Sequence, residues 1–314
     1  MQIVLPGALP DAAIAQELAS HMEKMAPRFT GWLERARVST TSAKPADTFC
    51  TPYEYWMLQH RGFQALPDER AAAGLAALFA LETDTPAAAD ESLWLAQLVH
   101  VAPARDGAAL IPASELEIQA DESAALFESA RETFEGTGFC ATPFDTTHWR
   151  IVLPDGYRPA CASPALVSIT SVNDWWTQDV GGRPWRRLIN ELQMLWFDHP
   201  VSQQREARGL RAVNSLWLYG GAPLSRFAQA QPAGQAAPRV LRGLQGPALV
   251  QDWGSWLQEL ERLDRETFSE FADMPELVLM GNDRIVETSP GRKGLLARFL
   301  GGKQEWKQWW SGRN

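Results

Sequence analysis

The 314-residue chain is 45% hydrophobic and 21% charged, and its 38 acidic against 29 basic side chains give a formal net charge of −9. These proportions suit a globular protein and exclude collagen-like, disordered and disulfide-scaffold classes. An acidic balance also argues against broad nucleic-acid binding, which needs clustered Lys and Arg.

The chain opens on an apolar strand over residues 2–5, closed by the Pro6-Gly7 turn. A helix is predicted over 11–37 with Asp11 as its cap, then a polar, proline-bearing loop over 39–47. Thr51-Pro52 opens a helix over 53–61 that Gly62 closes, and the alanine-rich stretch 69–82 reads as another. A linker follows over 83–90. Residues 98–101 and 108–112 read as a hairpin around Arg105-Asp-Gly107, followed by a helix over 121–135. Strands over 139–144 and 148–153 complete a hairpin–helix–hairpin order, the pattern of an α+β subdomain over 91–157.

The third stretch begins with a helix over 184–197, whose Leu188, Leu192, Leu195 and Trp196 keep helical spacing. Asp198-His-Pro200 breaks it, a short helix over 202–208 with Ser202 as cap follows, and 213–219 reads as a buried strand ending at Gly220-Gly221. Residues 228–238, rich in Ala, Gln, Gly and Pro, read as a mobile loop. A helix over 253–272 and a hairpin of 277–280 with 284–287 complete the body. The charge is uneven: from Arg292 onward six basic residues face one acid, a tail of +5 that leaves −14 on the rest. That tail carries Trp306, Trp309 and Trp310 at helical spacing. Two readings stand: the tail docks its indoles on the protein's own core, or it offers a surface to a partner or a membrane.

Chemistry-bearing residues are densest over 183–221. A buried strand ending in two glycines would leave backbone N–H groups at a sheet edge where ligands bind. Asn190, Glu191, His199, Arg205, Asn214, Gly220 and Gly221 are therefore the candidate ligand-binding residues, with Arg205 suited to a phosphate or carboxylate. The opposing reading has Arg205 paired with Glu206 or Glu191 and the glycines merely turning the chain. His199, next to Asp198 and before Pro200, is either a base or a helix cap. His100 in an apolar strand reads as a satisfied, half-buried residue. There is no G-x-x-x-x-G-K-[ST], no G-x-S-x-G and no C-x-x-C; Cys50, Cys140 and Cys161 suit a reducing compartment. Fourteen tryptophans, ten of them from Trp175 onward, leave two meanings for the Trp175-Trp176 pair: stacking on sugars or bases, or core packing.

Within the same stretch, the run Leu188-Ile-Asn-Glu-Leu-Gln-Met194, then His199-Pro200, Arg205, Gly209 and Val213-Asn-Ser-Leu-Trp-Leu-Tyr-Gly-Gly221, resembles the RpfE-type regulatory proteins of proteobacteria. Val4-Leu-Pro-Gly7, Thr51-Pro-Tyr-Glu-Tyr-Trp56, Leu98-Val-His-Val101 and residues 256–268 resemble other blocks of that family. The family is similar in turn to archaeal-type cofactor-independent phosphoglycerate mutases of the alkaline-phosphatase superfamily. The resemblance implies an α/β fold: a degenerate alkaline-phosphatase-like core over 1–90 and 158–290, an inserted α+β subdomain over 91–157 and a basic tail over 291–314. Mutase chemistry in that family needs two metals held by Asp and His, and a Ser or Thr that takes the phosphoryl group. Here the first strand ends in Pro6-Gly7 rather than a Pro-Asp-Gly turn, and the five histidines, His21, His60, His100, His148 and His199, include none beyond residue 199. No metal site and no cofactor are expected.

The expectation is a cytoplasmic, non-catalytic regulatory or interaction protein that binds a small phosphorylated ligand or a protein partner, without sequence-specific nucleic acid and without a transmembrane segment. The alternative is a mutase-like or phosphatase-like enzyme in which Arg205 grips phosphate and His199 is acid or base.

Overall fold

The structure is a computed structural model that describes residues 1–83, 85, 88–105, 107–176, 180–228, 237–291 and 305–312. The chain divides into two units, one of Met1–Asp47 with Ala230–Asn314 and one of Thr48–Gln229.

The first unit begins with β1 (Gln2–Pro6), α1 (Ala12–Met25) and α2 (Pro27–Leu33). The helix expected over 11–37 is thus two helices. Pro27 disfavours a helical residue before it, and Ala26 leaves the α region at φ −131°, ψ 62°. The loop expected over 39–47 is also corrected: Ala36–Ser42 is a strand, β2, and Pro45–Thr48 a single helical turn, α3.

The second unit opens on α4 (Pro52–His60), capped by a reciprocal pair: Thr51 Oγ1 accepts from the Glu54 amide and Glu54 Oε2 from the Thr51 amide at 2.8 Å. Gly62, at φ +71°, follows its end. The stretch expected as one helix over 69–82 begins as a 3-10 turn, Ala71–Gly74, before α5 (Leu75–Glu82). Then come β3 (Trp94–Ala104), β4 (Gly107–Ile111), α6 (Ala120–Phe134), β5 (Cys140–Pro143) and β6 (His148–Val152). Two short helices, α7 (Pro164–Ser168) and α8 (Val172–Trp175), lead to α9 (Arg183–Phe197), α10 (Pro200–Ala207) and β7 (Ser215–Gly220).

These strands form one antiparallel sheet in the order β4-β3-β6-β5, with β7 also paired to β3 through Trp94↔Gly220 to Val99↔Ser215. The limits of the unit differ from the boundaries expected at 90, 157 and 290 because β7 belongs to the sheet that β3 begins. Its core gathers around Trp149, whose ring lies edge-on to Phe127 at 5.0 Å and to Trp196 at 5.7 Å.

The chain returns to the first unit with β8 (Arg239–Val240), α11 (Gln245–Leu249), α12 (Trp253–Arg262), β9 (Glu276–Met280), β10 (Arg284–Pro290) and α13 (Glu305–Ser311). Its sheet runs β2-β10-β9-β1-β8, with β1 parallel to both neighbours and β10 antiparallel to both of its own. The helix expected over 253–272 stops at Arg262 and loosens into a π turn, Leu263–Thr267. There Asp264 accepts from the amides of Phe29 (2.6 Å) and Arg28 (3.3 Å), N–H groups at the start of α2 that have no partner inside that helix. Trp306 and Trp310 of α13 are buried in the core with Ile3, Met22, Phe29 and Trp256. The Trp310 indole donates to Ala8 O at 3.1 Å, and Lys307 pairs with Glu23 at 2.6 Å. The tail's indoles therefore dock on their own unit. The mobile loop expected over 228–238 and the basic residues 292–303 lie mostly or wholly outside the described residues. Among those described, no helix is long and apolar enough to cross a membrane.

Candidate functional site

The residues singled out in the sequence lie on α9, α10 and β7 of the second unit, and the structure gives most of them an internal task. Arg205 is the largest change. It has no exposed surface, and its guanidinium donates to Glu122 and Leu116 O, and through Nε to Arg211 O at 2.8 Å. Its partner is thus Glu122 of α6, not Glu206 or Glu191; Glu122 also meets Arg208 at 3.2 Å. A ligand in solvent cannot reach a side chain so enclosed. Glu191 pairs with Arg187 one helical turn away at 2.9 Å, and Asn190 is exposed.

His199 caps α10: its Nδ1 accepts from the Val201 amide at 3.2 Å, and partial burial lowers the pKa of the ring. The cap is therefore His199 rather than Ser202, whose hydroxyl donates to Trp196 O at 2.6 Å. Asn214 extends the β3–β7 ladder with its side chain. Oδ1 accepts from the Val101 amide and Nδ2 donates to Val101 O, both at 2.8 Å.

Gly221 does not present the open amide that the sequence pattern predicts. Gly221 donates to Leu93 O at 2.8 Å, and Ala222 to Ala73 O at 3.0 Å. Gly220 (φ +103°) and Gly221 (φ +121°) instead permit close packing. A Cβ at Gly220 would collide with Ala76, and one at Gly221 would sit 2.5 Å from the Trp94 ring. None of the seven lines either of the two hollows described below. His100 is half-buried with its Nδ1 2.8 Å from Ala212 O, as a satisfied strand histidine would be.

The end of β1, where the phosphoglycerate-mutase resemblance would put a metal-binding aspartate, is also occupied by structure. Gly7 O accepts from the Trp256 indole at 2.8 Å, and a Cβ at Gly7 would lie 2.8 Å from Gln245 Cα and Leu244 O. No carboxylate side chain fits at that position. Among the described residues no three His, Cys, Asp or Glu side chains gather to hold a metal.

A different place in the second unit does converge. A half-open cleft of about 40 Å³ is lined by Tyr157, Cys161, Trp175, Trp176, Trp185, Trp217, Gly182 and Arg186, among others. Its mainly aromatic lining, with Arg186 as a cation, is the usual chemistry of small-molecule sites. The walls are held firmly. The Trp175 indole donates to Thr170 Oγ1 and the Trp217 indole to Ala162 O, each at 2.9 Å. Trp176 packs on Trp217 at 5.4 Å, while Phe139 sits between Tyr157 and Trp185 at 5.3 Å from each.

The positive end of the α9 dipole opens here, with Gly182 at the N-cap and no acidic residue in the first turn. Burial pushes the Cys161 thiol up to about 12, so it is a neutral wall group rather than a nucleophile. Of this lining, sequence reasoning singles out only the Trp175-Trp176 pair. Arg186 and Gly182 carry no signal, because they become neighbours of Tyr157 and Trp217 only in the folded unit.

No family profile and no curated protein matches the chain. Among solved structures, the chain is similar to the cofactor-independent phosphoglycerate mutase of Thermoplasma acidophilum, with 12% identity and a TM-score of 0.35. That alignment covers 99% of this chain and 94% of the other. It is also similar to the protein PH0037 of Pyrococcus horikoshii, with 12% identity, a TM-score of 0.44, and coverage of 92% and 86%. The chain is α/β, with helices and two sheets. The RpfE-type resemblance is not confirmed by these comparisons.

Proposed function

We propose that the protein works by binding a small phosphorylated ligand in a non-catalytic, regulatory or interaction role, and that the aromatic cleft of the second unit is the binding site. The observation that carries this reading is the convergence of four indoles and a phenol on one half-open cleft, with Arg186 and the α9 N-terminus as its positive side. Flat apolar walls hold a ring by its face, while a cation and a helix N-terminus favour an anionic group. The internal tasks of Arg205 and His199 support placing the ligand here rather than at those two side chains.

The test is tryptophan fluorescence titrated with a panel of phosphorylated metabolites, run beside assays for manganese-dependent mutase and phosphatase turnover. Saturable quenching without turnover is expected, weakened about tenfold by Arg186→Ala. Turnover that disappears in His199→Gln would overturn the non-catalytic reading. Quenching unaffected by Arg186→Ala and Trp176→Leu would overturn the location.

A further inference from the structure

A second hollow adjoins the cleft, and Tyr157 lines both. It measures about 200 Å³ and is lined by Glu91, Ser92, Trp94, Arg150, Asp155 and Arg158, among others. Its chemistry is the complement of the cleft's. Among the described residues, the cleft is aromatic with a single cation. The hollow mixes two carboxylates with two guanidiniums and so has no net charge to attract a bare anion.

Two of its charged groups are spent on each other and two are not. Arg150 and Glu91 form an ion pair at 2.7 Å that fixes both heads on the wall. Asp155 and Arg158 are exposed, and among the described residues neither has an ion pair. Such a lining suits hydroxyl groups, which donate to carboxylates and accept from guanidiniums in the same few ångströms. The turn that carries Asp155 is held in place. Tyr157 N–H donates to Pro154 O at 3.0 Å, Gly156 takes φ +78°, and the Tyr157 ring packs edge-on against Phe139.

Resting on the binding reading above, we infer that the two hollows form one site across Tyr157 for the phosphate ester of a polyhydroxylated ring, a sugar phosphate. The phosphate lies toward Arg186 and the α9 N-terminus, an apolar ring face rests on the indoles, and hydroxyls reach Asp155, Arg158, Arg150 and Glu91. A sugar ring supplies such a face through its C–H groups and such hydroxyls through its edge. A nucleobase supplies the face too, but its edge carries ring nitrogens, carbonyls and amines in place of hydroxyls. Free sugar phosphates and nucleotide sugars share the recognised chemistry and differ only in the group attached beyond the phosphate.

Calorimetric titration separates these cases, using a hexose phosphate, the free hexose, inorganic phosphate, a nucleoside monophosphate and a nucleoside-diphosphate hexose as probes. The hexose phosphate should bind at least tenfold more tightly than either of its parts. The double variant Asp155→Asn/Arg158→Ala changes only exposed side chains and so leaves folding intact. It should lose about tenfold in affinity for the hexose phosphate and none for inorganic phosphate. A tighter nucleoside-diphosphate hexose with the same loss in the variant supports the inference and identifies the source. Equal hexose phosphate binding by the variant and the parent protein overturns the two-part site while leaving the cleft reading intact. If no phosphate ester of any kind binds, both readings fall together.

Discussion

Replacing Arg205 with Met removes a buried cation while keeping most of the side-chain volume, and the surroundings allow its cost to be worked out. Glu122 would stay buried with its carboxylate facing Arg208 alone, at 3.2 Å, and Arg208 is itself largely exposed. Leu116 O and Arg211 O would each lose a donor. Breaking a buried ion pair from one side costs about 3–5 kcal/mol; with Arg208 retained we expect about 3 kcal/mol. At a urea dependence of about 2 kcal/mol per molar, the unfolding midpoint should fall by about 1.5 M. Urea denaturation followed by tryptophan fluorescence measures this. Adding Glu122→Gln should recover part of the loss, because the stranded charge disappears. An Arg205→Met protein that unfolds like the parent but no longer binds phosphorylated ligands would refute the structural role and return Arg205 to the ligand site.

Three further outcomes are expected. Gly221→Ala places a Cβ 2.5 Å from the Trp94 ring at φ +121°, and should cost about 2–3 kcal/mol in the same denaturation assay. Trp310→Ala empties a fully buried site and strands Ala8 O, and should cost about 3–5 kcal/mol, read as a lower melting temperature by calorimetry. Asp145 titrates abnormally. Burial pushes its carboxyl up, but the hydrogen bond and charge of His148 and the bonds from Thr147 outweigh this and hold it at about 2. Its contribution is therefore present above the ordinary carboxylate range of about 4 and lost as pH falls from there toward 2. Asp145→Asn should be less stable at neutral pH and show a flatter acid limb across that window in pH-dependent unfolding.

Much of the fold is readable from local sequence, and the failures have physical causes. The capping pair of Thr51 and Glu54, the β9–β10 hairpin and the all-buried β7 follow from residue type and spacing alone. The strand β2 escapes a reading by pattern because it is an edge strand with most of its residues exposed, so it lacks apolar alternation; its Val38-Ser-Thr-Thr41 content is the available signal. The end of α12 is invisible because Asp264 leaves the helix to serve amides of α2, a partner remote in sequence.

The site obeys the same rule. Arg205, Asn214 and the paired glycines stand out because they are chemically distinctive, yet their partners, Glu122, Val101, Ala76 and Trp94, are distant in sequence and cannot be named from it. The cleft draws on the residues at 157–161, 175–176, 182–186 and 217–218, and no single stretch of sequence displays it.

The interruption of the first unit by the second has a consequence for synthesis. Strand β1 pairs with β9, Leu5 opposite Leu279, and the core of that unit is not filled until Trp306 and Trp310 arrive. During translation the continuous Thr48–Gln229 segment emerges with all of its strand partners and can fold while the ribosome is still at work. The apolar β1 must meanwhile wait, unpaired on both edges, for strands encoded after the whole second unit. A nascent chain stalled before β9 would therefore expose β1 and the buried face of α1 as a ready chaperone target. Helix α13, made after the whole second unit, closes the unit that β1 begins.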